Sequence, residues 1–262
     1  MPAKQSHFLS ATPLRPQKRG LIIGASSGMG AALARRLSRE GFTLALVARR
    51  EVQLASLCIE INQNSREIRA LPYVHDVTDF NAVPDLLRRI IADLGGLDLV
   101  IYAAGVNFPP EADEYNFDSD QLMLETNLIG AFAWLNPIAS MFQTAKQGQI
   151  VGISSVAGDR GRVGNPGYNT SKAGLTTYLE ALRNRLTRHG VNVLTVKPGF
   201  VQTDMLKAAQ KVMFPITAEK AADDIWIAIH FRKQQIYTPW FWTWIMLVIR
   251  NIPSVLFRRM SF

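Results

Sequence analysis

The stretch Leu21-Ile22-Ile23-Gly24-Ala25-Ser26-Ser27-Gly28-Met29-Gly30 decides how the chain folds. Three apolar residues read as the end of a buried strand. The glycines after them make a tight turn, and residues 30–40, closed by Gly41, read as a helix. The same alternation continues outward. Strands are expected at 43–48, 68–74, 97–103, 149–154 and 191–196, with helices at 51–63, 79–93, 119–145 and 167–188. The strands are apolar on both faces, so the sheet has to be covered on both sides, which is the signature of parallel pairing. Right-handed crossovers then predict an α/β fold: a doubly wound parallel sheet, Rossmann-like, with helices on both faces.

With 262 residues, 48% apolar and 19% charged, the chain is long enough for a substantial core. One domain is expected over 19–239. A flexible basic arm precedes it at 1–18, and an apolar, Trp-rich, basic tail follows at 240–262. The single cysteine, Cys58, rules out an internal disulfide and a cysteine-rich metal site, and it points to a reducing, cytoplasmic compartment. Four scattered histidines, His7, His75, His189 and His230, lack metal-ligand spacing, and no metal is expected. The net charge of +8 sits at the ends: Lys4, Arg15, Lys18 and Arg19 on one side, Arg232, Lys233, Arg250, Arg258 and Arg259 on the other. A near-neutral body between basic ends speaks against nucleic acid as a partner and for an anionic surface met by the tails. The first residues lack the apolar run of a signal peptide, and Pro2, Pro13 and Pro16 discourage a helix there.

Ligands of such sheets bind at the carboxyl ends of the strands. In the turn Gly24-Ala25-Ser26-Ser27-Gly28-Met29-Gly30, glycines let the backbone approach a pyrophosphate, and the helix N-terminus offers free N–H groups. After the second strand stands Ala48-Arg49-Arg50 rather than an acid. Guanidinium groups pair with a 2′-phosphate that a carboxylate would repel, so NADP(H) is favoured over NAD(H). Asp76, ending the third strand, is placed either to meet an adenine edge or to cap the following helix. Tyr168-Asn169-Thr170-Ser171-Lys172 puts a phenol and an ammonium one helical turn apart. A phenol ionises near pH ~10, and a cation within ~4–6 Å favours its phenolate, so the pair is a candidate acid/base. Ser155, at the end of the fifth strand, is placed to hold the oxygen that Tyr168 would protonate.

Taken in order, these motifs resemble the short-chain dehydrogenase/reductase family in its single-domain form, over roughly residues 18–240. Gly24, Gly28 and Gly30 match its glycine turn, and Asp76 its adenine-side aspartate. Asn127, Ser155, Tyr168 and Lys172 match its catalytic set. Pro198-Gly199-Phe200-Val201-Gln202-Thr203 matches the segment that touches the nicotinamide end. The resemblance also implies cofactor contacts from Ser26, Ser27, Met29, Val77, Ala104 and Gly105.

The roles follow from the resemblance. Tyr168 gives its proton to a carbonyl oxygen, Lys172 depresses the tyrosine pKa and binds the nicotinamide ribose, Ser155 positions the carbonyl, and Asn127 holds a relaying water. The chemistry implied is reversible hydride transfer between NADPH and a small-molecule carbonyl. The alternative of another class is a non-catalytic NADPH-binding regulatory or scaffold protein. One departure stands out. Tyr102-Ala103 replaces the family's paired asparagines, which tie the sheet together, and Tyr102 is read as packing.

The tail Pro239-Trp240-Phe241-Trp242-Thr243-Trp244-Ile245-Met246-Leu247-Val248-Ile249 is nearly all apolar. Ten helical residues span about 15 Å, half of a ~30 Å hydrocarbon core, so the tail is too short to cross a bilayer. Three destinations are open: the membrane inner face as a peripheral anchor, a second subunit in a homodimer or homotetramer, or the tail's own domain. Membrane contact would favour a lipophilic or lipid-linked ketone. Met205, Leu206, Val212, Met213 and Phe214, bordering the expected substrate mouth, are also apolar.

Overall fold

The computed structural model describes residues 18–111, 113–208 and 212–260. Apart from Lys18, the arm expected over 1–18 lies outside the described residues. The strands are β1 (Arg19–Ile23), β2 (Thr43–Ala48), β3 (Ala70–Val74), β4 (Leu99–Tyr102), β5 (Gln149–Ile153), β6 (Asn192–Pro198), β7 (Val201–Gln202), β8 (Ile216–Thr217) and β9 (Gln235–Thr238). Seven of them form one sheet in the order β3-β2-β1-β4-β5-β6-β9, and β7 pairs with β8 alone. All pairings are parallel. The winding direction reverses between β1 and β4, which opens a crevice at the carboxyl edge of the sheet.

Helices α1 (Gly28–Arg39), α2 (Glu51–Gln63), α3 (Val83–Leu94), α4 (Phe117–Leu124), α5 (Gly130–Ala145), α6 (Pro166–Leu186) and α7 (Ala218–His230) cover the sheet. Successive strand residues face opposite ways. Leu21, Ile23, Val100 and Ile150 therefore pack with Trp134 and Leu135 of α5 and Leu179 of α6. Ile22, Leu46, Ile101 and Val151 pack with Leu33 of α1 and Ile225 of α7 on the other face. Cys58 is buried on the inner face of α2, and burial pushes its thiol up to about 11.

Several boundaries differ from the sequence reading. The third strand begins at Ala70 rather than 68 because Ile68 faces solvent. This strand lies at the sheet edge, where Pro72 is tolerated. The seventh strand, β9, was not anticipated, since four residues beginning with glutamine carry little periodic signal. The single helix expected over 119–145 is α4 and α5 joined by a π-helical turn, Glu125–Ile129, in which the Gly130 amide donates to the Glu125 carbonyl. A widened turn of this kind inserts one residue into the helical ladder, and periodicity does not reveal it.

The tail forms α8 (Trp242–Asn251) and the short α9 (Ser254–Phe257). One face of α8 packs on its own body, with Trp242 and Met246 buried against Val156, Phe200 and Tyr237. Arg160, in the loop after β5, donates to the carbonyls of Ile249 and, at 2.7 Å, Ile252. Its guanidinium also lies 3.7 Å from the Phe257 ring centroid. A cation at the open carbonyls of a helix end neutralises their partial charge. The same loop is fixed to the sheet by Asp159, which meets Lys197 at 2.6 Å in a buried ion pair and accepts from the Tyr237 hydroxyl at 2.6 Å. The loop after β5 and the tail are thus anchored as one packed unit.

Candidate active site

The first turn of α6 sets the site. The Asn165 side chain accepts from the Tyr168 amide at 3.0 Å and Pro166 occupies the first turn, so the helix starts where Tyr168 and Lys172 share a face. The Tyr168 phenol lies beside the Ser155 side chain, which favours its ionised form. Ser155 in turn accepts from the Ala157 amide at 3.0 Å, capping a short 3-10 turn. Lys172 is buried, and its Nζ donates to the Ile153 carbonyl at 3.0 Å. Asn127, fully buried in the π turn, accepts from the Val106 amide at 2.7 Å and donates at 3.0 Å to both the Val106 carbonyl and Ser171 Oγ. A Cβ on Gly105 would lie 3.2 Å from Asn127 Oδ1 and 3.3 Å from Lys172 Nζ. Glycine there leaves the two polar ends uncrowded, and the four expected side chains converge.

Their electrostatics differ from the expectation. The Lys172 ammonium lies 5.7 Å from the centroid of the Tyr168 ring and donates to a main-chain carbonyl. Burial wins and holds the Tyr168 phenol above its ordinary value, with the Ser155 side chain and the Arg162 charge acting against it. Burial also pushes the Lys172 amine down to about 8. Arg162, six residues before Tyr168, was not anticipated as a neighbour of the phenol. A loop arginine is visible in the sequence, but nothing in its spacing tells which way it points.

The glycine turn lies on the adjacent part of the edge. Gly24 and Gly28 have φ of 91° and 53°, and a Cβ at Gly24 would be 2.4 Å from the Ala104 amide nitrogen. Helix α1 starts at Ser27 with no side-chain cap and no acid in its first turn, so its leading N–H groups are free for an anion. Ser26, Ser27, Gly28 and Thr203 line a cavity of about 840 Å³. Arg50 donates to Ser26 Oγ at 3.1 Å and to Ser27 Oγ. Arg49 turns instead to Asp76, at 3.4 Å. Asp76 Oδ1 accepts from the Thr78 amide and hydroxyl at 3.0 and 2.8 Å. The cap of the following turn is Asp79, so Asp76 does not have the capping role.

The remaining expected contacts act as walls. Val77, Ala104 and Val201 are buried, and Met29 packs on the core next to Gly30. Pro198 ends β6, and Gly199 lies so close to Trp242 that a Cβ would meet the indole nitrogen at 2.0 Å. Free helix amides and a guanidinium at the turn fit the phosphates of a dinucleotide.

The family model of the short chain dehydrogenases matches residues 18–213. An uncharacterized oxidoreductase of Mycobacterium tuberculosis is 31% identical over 229 residues, 87% of this chain and 90% of that protein. The ketoacyl reductase HetN of Nostoc sp. is 30% identical over 195 residues, 74% of this chain and 67% of that one. The crystal structure of an actinorhodin polyketide ketoreductase variant with NADPH matches in fold with a TM-score of 0.77 at 24% identity, covering 84% of this chain and 95% of the other. The chain belongs to the short-chain dehydrogenase family, oxidoreductases that use a nicotinamide cofactor.

Proposed function

We propose that the protein is an NADPH-dependent reductase of a lipophilic or lipid-linked ketone, working reversibly on the corresponding secondary alcohol. The observation that carries this reading is the Tyr168 phenol beside Ser155, one helical turn from a buried lysine, at the same sheet edge as an uncapped helix N-terminus. When bound, the dinucleotide supplies the hydride. Tyr168 donates its proton to the carbonyl oxygen, and its raised pKa keeps that proton in place until the oxygen becomes basic. Ser155 orients the same oxygen by its hydroxyl. Lys172, with its amine near 8, returns a proton to the tyrosine side of the site, and Asn127 holds the water through which that proton travels.

The NADP(H) preference is supported by Arg50 and Ser26 at the turn, with Arg49 beside them on Asp76. Reduction of a carbonyl is in keeping with the ketoacyl reductase relative. The lipophilic character rests on the tail. Phe214 of the loop before β8 meets Phe241, and Phe200 meets Trp242, so aromatic rings join the segments after β6 to the start of α8. Beyond them Trp240, Trp244, Leu247 and Val248 remain exposed, with Trp240 at 70%. Trp244, Leu247 and Val248 fall on one face of α8, opposite Trp242 and Met246, and Trp240 lies in the turn that leads into the helix. No acid follows Asp224 in the sequence, while Arg250, Arg258 and Arg259 do. An exposed apolar face on a basic tail of this kind suits peripheral contact with an anionic bilayer. Among the described residues no helix is long and apolar enough to cross one. Exposed Ile129 and Phe132 at the start of α5 suit a second copy of the chain, as a homodimer or homotetramer.

Three experiments test this reading. Tyr168→Phe is expected to lower NADPH-dependent ketone reduction at least ~10³-fold while NADPH binding stays within about twofold, because only the proton donor is lost. Full activity in this variant, assayed by NADPH oxidation, would remove the assignment. Arg50→Asp is expected to weaken NADPH relative to NADH by at least ~tenfold in kcat/KM, given the strength of charged phosphate pairs. Unchanged selectivity would show that Arg50 does not hold the 2′-phosphate. In flotation, the full chain should rise with anionic vesicles and stay down with neutral ones, and Trp244→Glu with Val248→Glu should abolish the rise. Equal behaviour of the two proteins would discard the membrane face.

A further inference from the structure

Tyr102 fills the position where the family resemblance leads one to expect an asparagine, and the structure gives its hydroxyl a specific task. The side chain is fully buried at the end of β4. Its hydroxyl donates to the Thr126 carbonyl at 2.6 Å, across 24 residues of sequence. Thr126 lies in the π turn Glu125–Ile129, immediately before Asn127. We propose that Tyr102 is a positioning residue, whose hydroxyl holds the widened turn at the one offset that presents Asn127 to Lys172.

Two further contacts bear on this. A Cβ at Gly130 would lie 2.5 Å from the Tyr102 oxygen, so the glycine that ends the π turn is what leaves room for the phenol. Tyrosine at 102 and glycine at 130 are therefore matched, and an asparagine side chain at 102 would be too short to reach where this hydroxyl does. The Asn127 amide makes three hydrogen bonds, to both main-chain groups of Val106 and to Ser171. All three require the main chain at 126–127 to stay where it is. In a helix the i→i+4 ladder alone would fix it, but a turn with an inserted residue has weaker intrinsic definition. A hydrogen bond from the rigid sheet supplies what the ladder lacks. Burial raises the Tyr102 phenol, so it remains a neutral donor throughout the working pH range.

The inference rests on the reading of Asn127 as part of the catalytic set, and the test separates the two. Tyr102→Phe, Asn127→Ala and the double variant are compared for kcat and KM with NADPH and a ketone that the unmodified protein reduces. Hydrogen exchange is followed across 125–131. Tyr102→Phe should fold normally, lower kcat about tenfold with the KM for NADPH within twofold, and quicken exchange in 125–131 while β1 and β5 stay protected. Because both changes act through one group, the double variant should be no slower than Asn127→Ala alone. Tyr102→Phe with unchanged kcat, or losses that multiply in the double variant, would overturn the proposal and leave the catalytic reading standing. Full turnover in Asn127→Ala would overturn both.

Discussion

A lysine ammonium withdrawn from water and bound to a main-chain carbonyl is the constraint on which the carboxyl edge of this sheet depends. Lys172 is buried with the Ile153 carbonyl as its hydrogen-bond partner, and it lies close above Gly105. An isolated charge in such a place is costly, and its amine accordingly falls to about 8. Holding it there takes the end of β5, the capped start of α6 and a glycine after β4. Those three elements also place Tyr168, Ser155 and Asn127. The arrangement of these side chains is thus a by-product of how the sheet and α6 meet.

The same logic extends outward through the loop after β5. Asp159 is paired with Lys197 of β6 and Tyr237 of β9, and Arg160 closes the end of α8. A buried ion pair of this sort is a weak source of net stability, but removing either partner leaves a stranded charge. Its consequence is that the loop between Ser155 and Tyr168, the sheet edge and the tail are held in one arrangement. The buried half of α8 belongs to this scaffold, and its exposed half is left for whatever meets the protein from outside.

Much of this was legible in the sequence. The strand, glycine turn and helix at 21–40 announce the fold, and Tyr168, Lys172, Ser155 and Asn127 do come together as read. Helix α2 and strand β2 appear with the expected boundaries. What was hidden falls into two physical kinds. Short or polar elements such as β9 carry no periodic signal. Offsets of one residue, such as the π turn around Asn127, leave the apolar pattern almost unchanged. Side-chain directions on the surface were also out of reach: that Arg50 and not Arg49 would lie on Ser26, and that Trp242 and Met246 would turn inward while Trp244 turned outward, depends on packing partners distant in sequence. The effect of Lys172 on Tyr168 was misjudged for a related reason. Spacing of four residues predicts a shared face but not how far burial of the phenol outweighs the charges around it.

The most direct test of the account is the pH dependence of kcat/KM for NADPH-driven ketone reduction. The Lys172 amine is charged below about pH 8 and loses its proton above that value. If the ammonium serves the tyrosine, the rate should be level on the acid side and decline toward tenfold per pH unit beyond about pH 8. A profile that stays level to pH ~10, the range in which an unperturbed lysine would still be charged, would contradict the buried-lysine account.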